Sequence, residues 1–471
     1  MNTLSTASLK PTPYEKYGWL AIGGLISLLI FFFLIGAGRF LVLIYPVCSL
    51  AVGIYLFQYC PRLYIAYTFW LWFLSSLIRR IIDFQAGVYT MGGFYTTPEL
   101  VSLIVLPNCI KSLPRELKSV GLPFILCLGT VTYGVLVGLA NNPIRDFSMV
   151  DLALGFICPI VFGYYLYSHW QNYPDLCQFI YKIFIYAVIV MGIYGLYQYV
   201  VAPDWDRFYL TFTGIQARGT PEPFGIRVWS TTSAAHQLSF PMVTGVLLSL
   251  CPPLSWPQFL ALLFGAITLL AGVVRTAWLC LLLVMGLYIT TLRPQQQSKL
   301  LGLLALTFSS ILTIVFSVSE LNERISQRFA SFQSLESDEA LNLRAEAFSD
   351  LFEKIVFNPV GKGFGFYLES ISNISSGDGT FLPMLLWFGL IGTMIYFMGV
   401  FMLIAKIVTV KPPSRDNFLI AVKIICVGLL PMMLTGQYFP EIPGLIVWTF
   451  LSLGIAAYKY YKVHYIVQQE F

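Results

Sequence analysis

Residues 18–37 read GWLAIGGLISLLIFFFLIGA, twenty positions with no charged side chain. About 20 such residues make a helix long enough to cross a bilayer. The polar segment before it carries Lys10 and Lys16. The run is too long for a signal-peptide core and has no clean small-residue cleavage site, which makes it the first span. Similar runs follow near 40–58, 62–82, 97–110, 121–139, 149–168, 178–200, 236–254, 257–273, 275–292, 299–318, 380–408, 417–436 and 441–459. Fourteen spans of this kind would use roughly 280 of the 471 residues, leaving loops that can hold a site but no separate folded domain. The whole chain is 57% hydrophobic and only 11% charged, against about 25% charged in soluble proteins, which excludes a soluble globular enzyme. The expected fold class is an all-α polytopic membrane protein of about 14 transmembrane helices. The expected segments are residues 1–200 (N-terminal helices), 201–235 (a first outer loop), 236–318 (central helices), 319–378 (a large outer loop) and 379–471 (C-terminal helices).

Orientation follows from Lys and Arg in the short loops. Lys111, Arg115 and Lys118, then Arg293 and Lys299, then Lys406, Lys411 and Arg415, and finally Lys459 and Lys462 all fall on the side of Lys10 and Lys16. That side is the expected cytoplasmic one, and it leaves the segments 201–235 and 319–378 outside. Arginine runs against this trend. Arg79, Arg80, Arg145, Arg207, Arg218, Arg227, Arg275, Arg324, Arg328 and Arg344 are expected outside, with only Lys354 and Lys362 among the lysines. A guanidinium fork matches phosphate or carboxylate bidentately, which an ammonium does not, so anion binding is the leading cause. Arg275 stands out because apolar runs flank it closely, and a charge at such depth is costly unless paired or bound to a ligand. Arg79 and Arg80 sit near Asp83 and can equally snorkel or pair.

The second outer segment is acidic, ten Asp and Glu against five Arg and Lys, which argues against polyanions such as nucleic acid as partners. Within it, Leu343, Ala347, Leu351 and Ile355 repeat every four residues, predicting an amphipathic helix over 339–356 that Asn358-Pro359 ends. The glycines of Pro359-Val-Gly-Lys-Gly-Phe-Gly-Phe-Tyr367 let backbone approach something closely, but no strand precedes them, so a nucleotide loop is a poor reading. Asp378 precedes the next span, where an acid serves as a helix cap or as a general base. Nine cysteines are scattered singly with three histidines, which supports neither a zinc site nor a disulfide framework, and no metal or cofactor is expected.

Several of these pieces together resemble the O-antigen ligase and O-antigen polymerase superfamily of bacterial envelope polysaccharide assembly. They lie between Arg227 and Gly392, about a third of the chain. The pieces are Arg227-Val-Trp-Ser-Thr-Thr-Ser-Ala-Ala-His236, Gly272-Val-Val-Arg275-Thr-Ala-Trp278, Arg344-Ala-Glu346-Ala-Phe348, the glycine run, and Asp378-Gly-Thr-Phe-Leu with Phe388-Gly-Leu-Ile-Gly392. The resemblance implies a GT-C-like inner-membrane glycosyltransferase, inverting and metal-independent, with its active site facing the periplasm or exterior. The donor would be an oligosaccharide on polyprenyl diphosphate and the acceptor a glycan hydroxyl, with a chain-length regulator as a further partner. By matched position Arg227 and Arg275 take the diphosphate, with Arg344, Arg80, His236 and Glu346 as further substrate contacts. Family ligases have a histidine in the closing block where this chain has Asp378, which favours polymerase over ligase and makes Asp378 the base. A transporter of lipid-linked sugars is the rival reading, and an assembly subunit without chemistry a third.

Overall fold

In a computed structural model the chain is described over residues 13–89, 96–141, 148–214, 218–317, 319–330, 359–365, 379–412 and 416–469. These residues form helices α1 (Glu15–Leu34), α2 (Gly38–Tyr59), α3 (Pro61–Ala86), α4 (Thr97–Leu103), α5 (Leu106–Ser112), α6 (Leu122–Asn141), α7 (Ser148–Ser168), α8 (Tyr173–Val201), α9 (Asp204–Thr213), α10 (Ala235–Ser249), α11 (Trp256–Gly272), α12 (Arg275–Thr291), α13 (Pro294–Ser317), α14 (Ser319–Ala330), α15 (Phe381–Thr409), α16 (Asn417–Gly428) and α17 (Glu441–Gln469). Among the described residues there is no strand, only an isolated antiparallel bridge between Gly219 and Ile226. Among the described residues ten helices are long and apolar enough to cross a membrane, so the chain is a multi-pass helical membrane protein.

The apolar runs and the helices differ in places. The run 97–110, expected as one span, is two helices of seven residues each, α4 and α5, and neither reaches across a bilayer. Runs nine and ten are separate helices of seventeen residues, α11 and α12, and the eighth is α10, with fifteen. The amphipathic helix expected over 339–356 lies outside the described residues.

The helices sort into two compact units, each assembled from three stretches of chain. The first holds α1–α4, α8–α11 and α13. Here α3 packs on α2, α4, α8 and α9, while α8, α10 and α11 form a tight trio. Glycines set that closeness. A Cβ on Gly245 would meet Val188 Cγ2 at 2.1 Å, and one on Gly265 would meet Val246 Cγ2 at 2.6 Å. Helices that share lipid as solvent associate through such small-residue contacts.

The second unit holds α6, α7, α12 and α15–α17. Its centre is α17, with 89% of its apolar window buried, packed on α7, α15 and α16. Helix α15 is broken at Gly389, whose φ of 65° and ψ of −176° are not helical. Residues Pro359–Gly365 fill the break. Lys362 N–H donates to Leu386 O (2.7 Å) and Gly363 N–H to Trp387 O (3.0 Å), while Pro359 O accepts from Ile391 N–H (3.4 Å). Phe364 N–H reaches Gly134 O on α6 (3.0 Å), and the Tyr133 hydroxyl donates to Val360 O (2.8 Å). Irregular backbone inside a membrane bundle persists only where protein satisfies its polar groups, and the glycine run does that for α15.

This fit leaves no room for side chains. A Cβ on Gly363, at φ 78°, would stand 2.0 Å from Gly138 N. Gly363→Ala should therefore lower the apparent melting temperature of the detergent-solubilised protein sharply, since backbone strain alone costs about 1–3 kcal/mol. Gly286→Ala, with nothing within 4 Å of its Cβ, should leave it unchanged or slightly raised. Equal melting of the two variants would contradict the interlock.

Candidate functional site

A buried network of charged groups in the first unit lies where α3, α8 and α9 meet. Ser76, Arg79, Arg80 and Asp83 recur at helical spacing along the last turns of α3, so they share its inward face. Arg79, Arg80 and Asp83 are 2%, 3% and 2% exposed. Arg79 Nε pairs with Asp83 Oδ2 at 3.1 Å. Arg80 reaches away from Asp83. Its Nε stands 2.7 Å from Asp206 Oδ1, Nη1 donates to Thr232 O and Nη2 to Ser230 O, both at 2.5 Å.

Asp206 is placed by a short stretch of turn chemistry. Ala202 takes a left-handed conformation (φ 49°) that ends α8, and Pro203 then starts α9. Asp204 and Asp206 fall in the first turn of α9, where the helix dipole favours acids. The second oxygen of Asp206 accepts from the Tyr194 hydroxyl (2.8 Å) and from Gln198 Nε2 (2.9 Å), two residues one turn apart on α8. Gln198 Oε1 in turn accepts from the N–H groups of Trp229 (3.1 Å) and Ser230 (2.8 Å). Trp205 Nε1 donates to Tyr194 (2.7 Å) and completes the network.

The segment 218–236 is thus held from below by Gln198 and Arg80, and at its start by Arg227 N–H on Arg218 O (2.9 Å). Ser230 sits at φ 53°, a conformation that non-glycine residues rarely adopt. Arg227 is half-buried. Its Nε donates to Gly272 O (2.8 Å) and its Nη2 to Val273 O (3.3 Å), at the C-terminus of α11, where a cation is favoured. Val228 N–H bonds Ala271 O beside it (3.3 Å). Val273, a β-branched residue at φ 53°, marks local backbone strain of the kind that clusters at functional turns.

Other sequence-selected residues fall as follows. Arg275 is the first residue of α12 in the second unit, half-buried, and the Thr276 hydroxyl beside it hydrogen-bonds that of Thr435 (2.7 Å). His236 is half-buried in the first turn of α10, its ring edge-on to Phe240 at 5.2 Å. Arg344, Glu346 and Asp378 lie outside the described residues. Helix α15 begins at Phe381 with Thr380 in the N-cap position, and Thr380 is held by Met433 O (2.9 Å) and Gly436 O (2.7 Å).

The sequence reading missed Tyr194, Gln198, Asp206 and Tyr209. Tyr194 and Gln198 showed only as polar residues at helical spacing near the end of an apolar run, and Asp206 and Tyr209 only as part of a polar helix start. Tyr209, 5% exposed, lies between guanidinium groups, with Arg218 at 4.8 Å and Arg80 at 5.8 Å from its ring. Burial holds its hydroxyl above the ordinary tyrosine value, against the pull of Arg218, so it remains a protonated donor at neutral pH. Among the described residues, no group of His, Cys, Asp or Glu is arranged to hold a metal ion.

Asp206→Asn should cost about 3–5 kcal/mol of stability, because it leaves a buried guanidinium without its counter-charge. Arg80→Met combined with Asp206→Leu should recover much of that loss. Thermal melts of both variants in detergent test the pairing, and a double variant as unstable as the sum of its single changes would refute it.

Compared with protein-family models and with curated proteins, the chain finds no match.

Proposed function

We propose that this chain is a membrane glycosyltransferase that polymerises oligosaccharide repeat units carried on polyprenyl diphosphate into a surface polysaccharide. Its motifs resemble the O-antigen polymerase and ligase superfamily, and the reading takes with them a GT-C-like fold and an active site on the periplasmic side of a bacterial inner membrane. One observation carries the proposal: Arg227, from the first of these motifs, donates through Nε and Nη2 to Gly272 and Val273 of the second. Stretches 45 residues apart in sequence are joined by the arginine that anion recognition would select. The guanidinium of Arg227 thus holds the strained turn at Val273, two residues before Arg275.

The chemistry is an inverting displacement at the anomeric carbon of the donor. An acceptor hydroxyl gives its proton to the Asp378 carboxylate as its oxygen bonds to the anomeric carbon. The bond from that carbon to the diphosphate oxygen breaks, and its electron pair leaves with the lipid diphosphate. Arg275 neutralises the charge that develops there, Arg227 holds the turn that presents it, and Arg344, Glu346 and His236 contact the substrates. Losing one such electrostatic contact costs about 3–4 kcal/mol at the transition state, or 100- to 1,000-fold in rate. Ligation of a finished glycan onto a different acceptor uses the same residues and is the nearest alternative.

A transporter of lipid-linked oligosaccharide is favoured by a different feature, the break in α15 at Gly389, since broken helices line many transport sites. The glycine run that fills this break with its own hydrogen bonds weighs against it.

Deleting the gene and analysing the carrier lipids separates these readings. Single repeat units on carrier in the outer leaflet indicate a polymerase, long carrier-linked chains a ligase, and units confined to the inner leaflet a transporter. In the complemented strain, Arg275→Ala and Arg275→Lys should both abolish long chains on a polysaccharide gel. Full-length polymer from the lysine variant would exclude bidentate recognition. Asp378→Asn should lower chain output at least 100-fold by the same measure, and wild-type output would remove Asp378 as the base.

A further inference from the structure

The ten residues of α9 divide into three stripes. Asp206, Tyr209 and Leu210 are buried, with Asp206 tied to Arg80 of α3 and to Tyr194 and Gln198 of α8. Asp204, Arg207 and Thr211 recur at i, i+3 and i+7 and make a polar edge that meets solvent. Trp205, Phe208 and Phe212 recur at the same interval on the edge between these two, and none of the three is buried. Phe212 is 55% exposed. A bare aromatic edge is costly in water, while the polar edge forbids sinking the helix into hydrocarbon. Only a surface with both solvents side by side suits the two edges together.

The position of α9 in the first unit supplies that surface. Only Ala202 and Pro203 separate it from the end of α8, a helix long and apolar enough to span. Phe208 meets Phe84, in the last turn of the span α3, at 6.0 Å, and Phe212 at 5.4 Å. Next to Phe84, Gln85 Nε2 donates to Phe33 O (3.0 Å), beside the short turn that joins α1 to α2. Three spans therefore end at one level, and aromatic rings run along it. Phe31, Phe32 and Phe40 flank the α1–α2 turn at 5.8 and 6.4 Å from ring to ring, Phe84 closes α3, and Phe208 and Phe212 continue the row. Phe40 and Phe84 are 65% and 39% exposed. Aromatic side chains collect at this depth, where hydrocarbon gives way to headgroups.

We infer that α9 is an interfacial helix, lying along the membrane surface at the ends of α1, α3 and α8. Phe208 and Phe212 are seated between lipid headgroups and acyl chains, and Asp204, Arg207 and Thr211 stay in water. The occupant of the aromatic edge is the bilayer, because that edge continues the apolar surface of the spans beside it. Seating also bears on the buried network. Asp206 belongs to the same helix, so lipid holds the counter-charge of Arg80 from one side while Tyr194 and Gln198 hold it from the other. The inference goes beyond the glycosyltransferase reading and does not depend on it.

The test uses the full chain in nanodiscs of phosphatidylethanolamine and phosphatidylglycerol. One sample carries a phospholipid with a photoactivatable diazirine on its acyl chain close to the glycerol, and the other a charged, water-soluble diazirine. Peptide mass spectrometry after irradiation reads where the carbenes insert. The lipid-borne carbene should label Phe208 and Phe212, and the water-borne one Asp204, Arg207 and Thr211. A Phe208→Leu, Phe212→Leu double variant should keep the lipid label on residues 204–213, and a Phe208→Ser, Phe212→Ser double variant should lose it. The leucine pair leaves the edge apolar and the buried stripe untouched, so it and the native chain decide the matter even where the serine pair folds poorly. Absence of lipid-borne label from Phe208 and Phe212 of the native chain overturns the seating, whether or not the water-borne reagent reaches them. Equal labelling of both edges by both reagents overturns it too. A particle holding two copies, reduced to one by the serine pair, also overturns it and makes the aromatic edge a contact between copies of this chain.

Discussion

Arg80 carries a full positive charge into a place where only 3% of its surface meets solvent, and the arrangement of the first unit around it follows from that. Burying such an ion costs several kcal/mol even after relaxation, so each polar atom must find a partner with good geometry. Asp206 supplies the counter-charge, but an aspartate accepts more than one hydrogen bond, so Tyr194 and Gln198 are drawn in behind it. Gln198 then has an amide oxygen to satisfy and takes two N–H groups of the loop. Conformations that are costly by themselves, such as the left-handed Ser230, persist because this network over-determines them.

The second unit solves a related problem with backbone alone. A helix interrupted within the bundle leaves carbonyls and amides unmatched, in surroundings without water to meet them. Residues Pro359–Gly365 supply both kinds of group, and alternate glycines let two main chains pass within contact distance. The interlock anchors one end of the stretch that leads toward Asp378, and Thr380 anchors the chain just beyond it.

Arg227 and Arg275 could be chosen from sequence because each breaks a local pattern, one by its place before a small-residue turn and the other by its place between apolar runs. What Arg227 does was not legible. Its partners are backbone carbonyls 45 and 46 residues away, and carbonyl groups have no residue letter. Asp206 was hidden for a related reason. It sits among Asp204, Trp205 and Arg207 in a stretch that reads as an ordinary polar helix start, and only the packing of α9 on α3 turns one of its two acids inward.

Composition and periodicity determined that the chain is a multi-pass helical membrane protein, because spans answer to the bilayer, a uniform solvent whose demand can be read window by window. They also marked the glycine run as a place of close backbone approach. Only the tertiary structure decided that this run plugs a broken helix, that the 97–110 stretch is two short helices, and that Arg80 is paired with Asp206 rather than with the nearer Asp83. Those outcomes depend on which distant groups satisfy a buried donor or charge, and sequence distance carries no information about that.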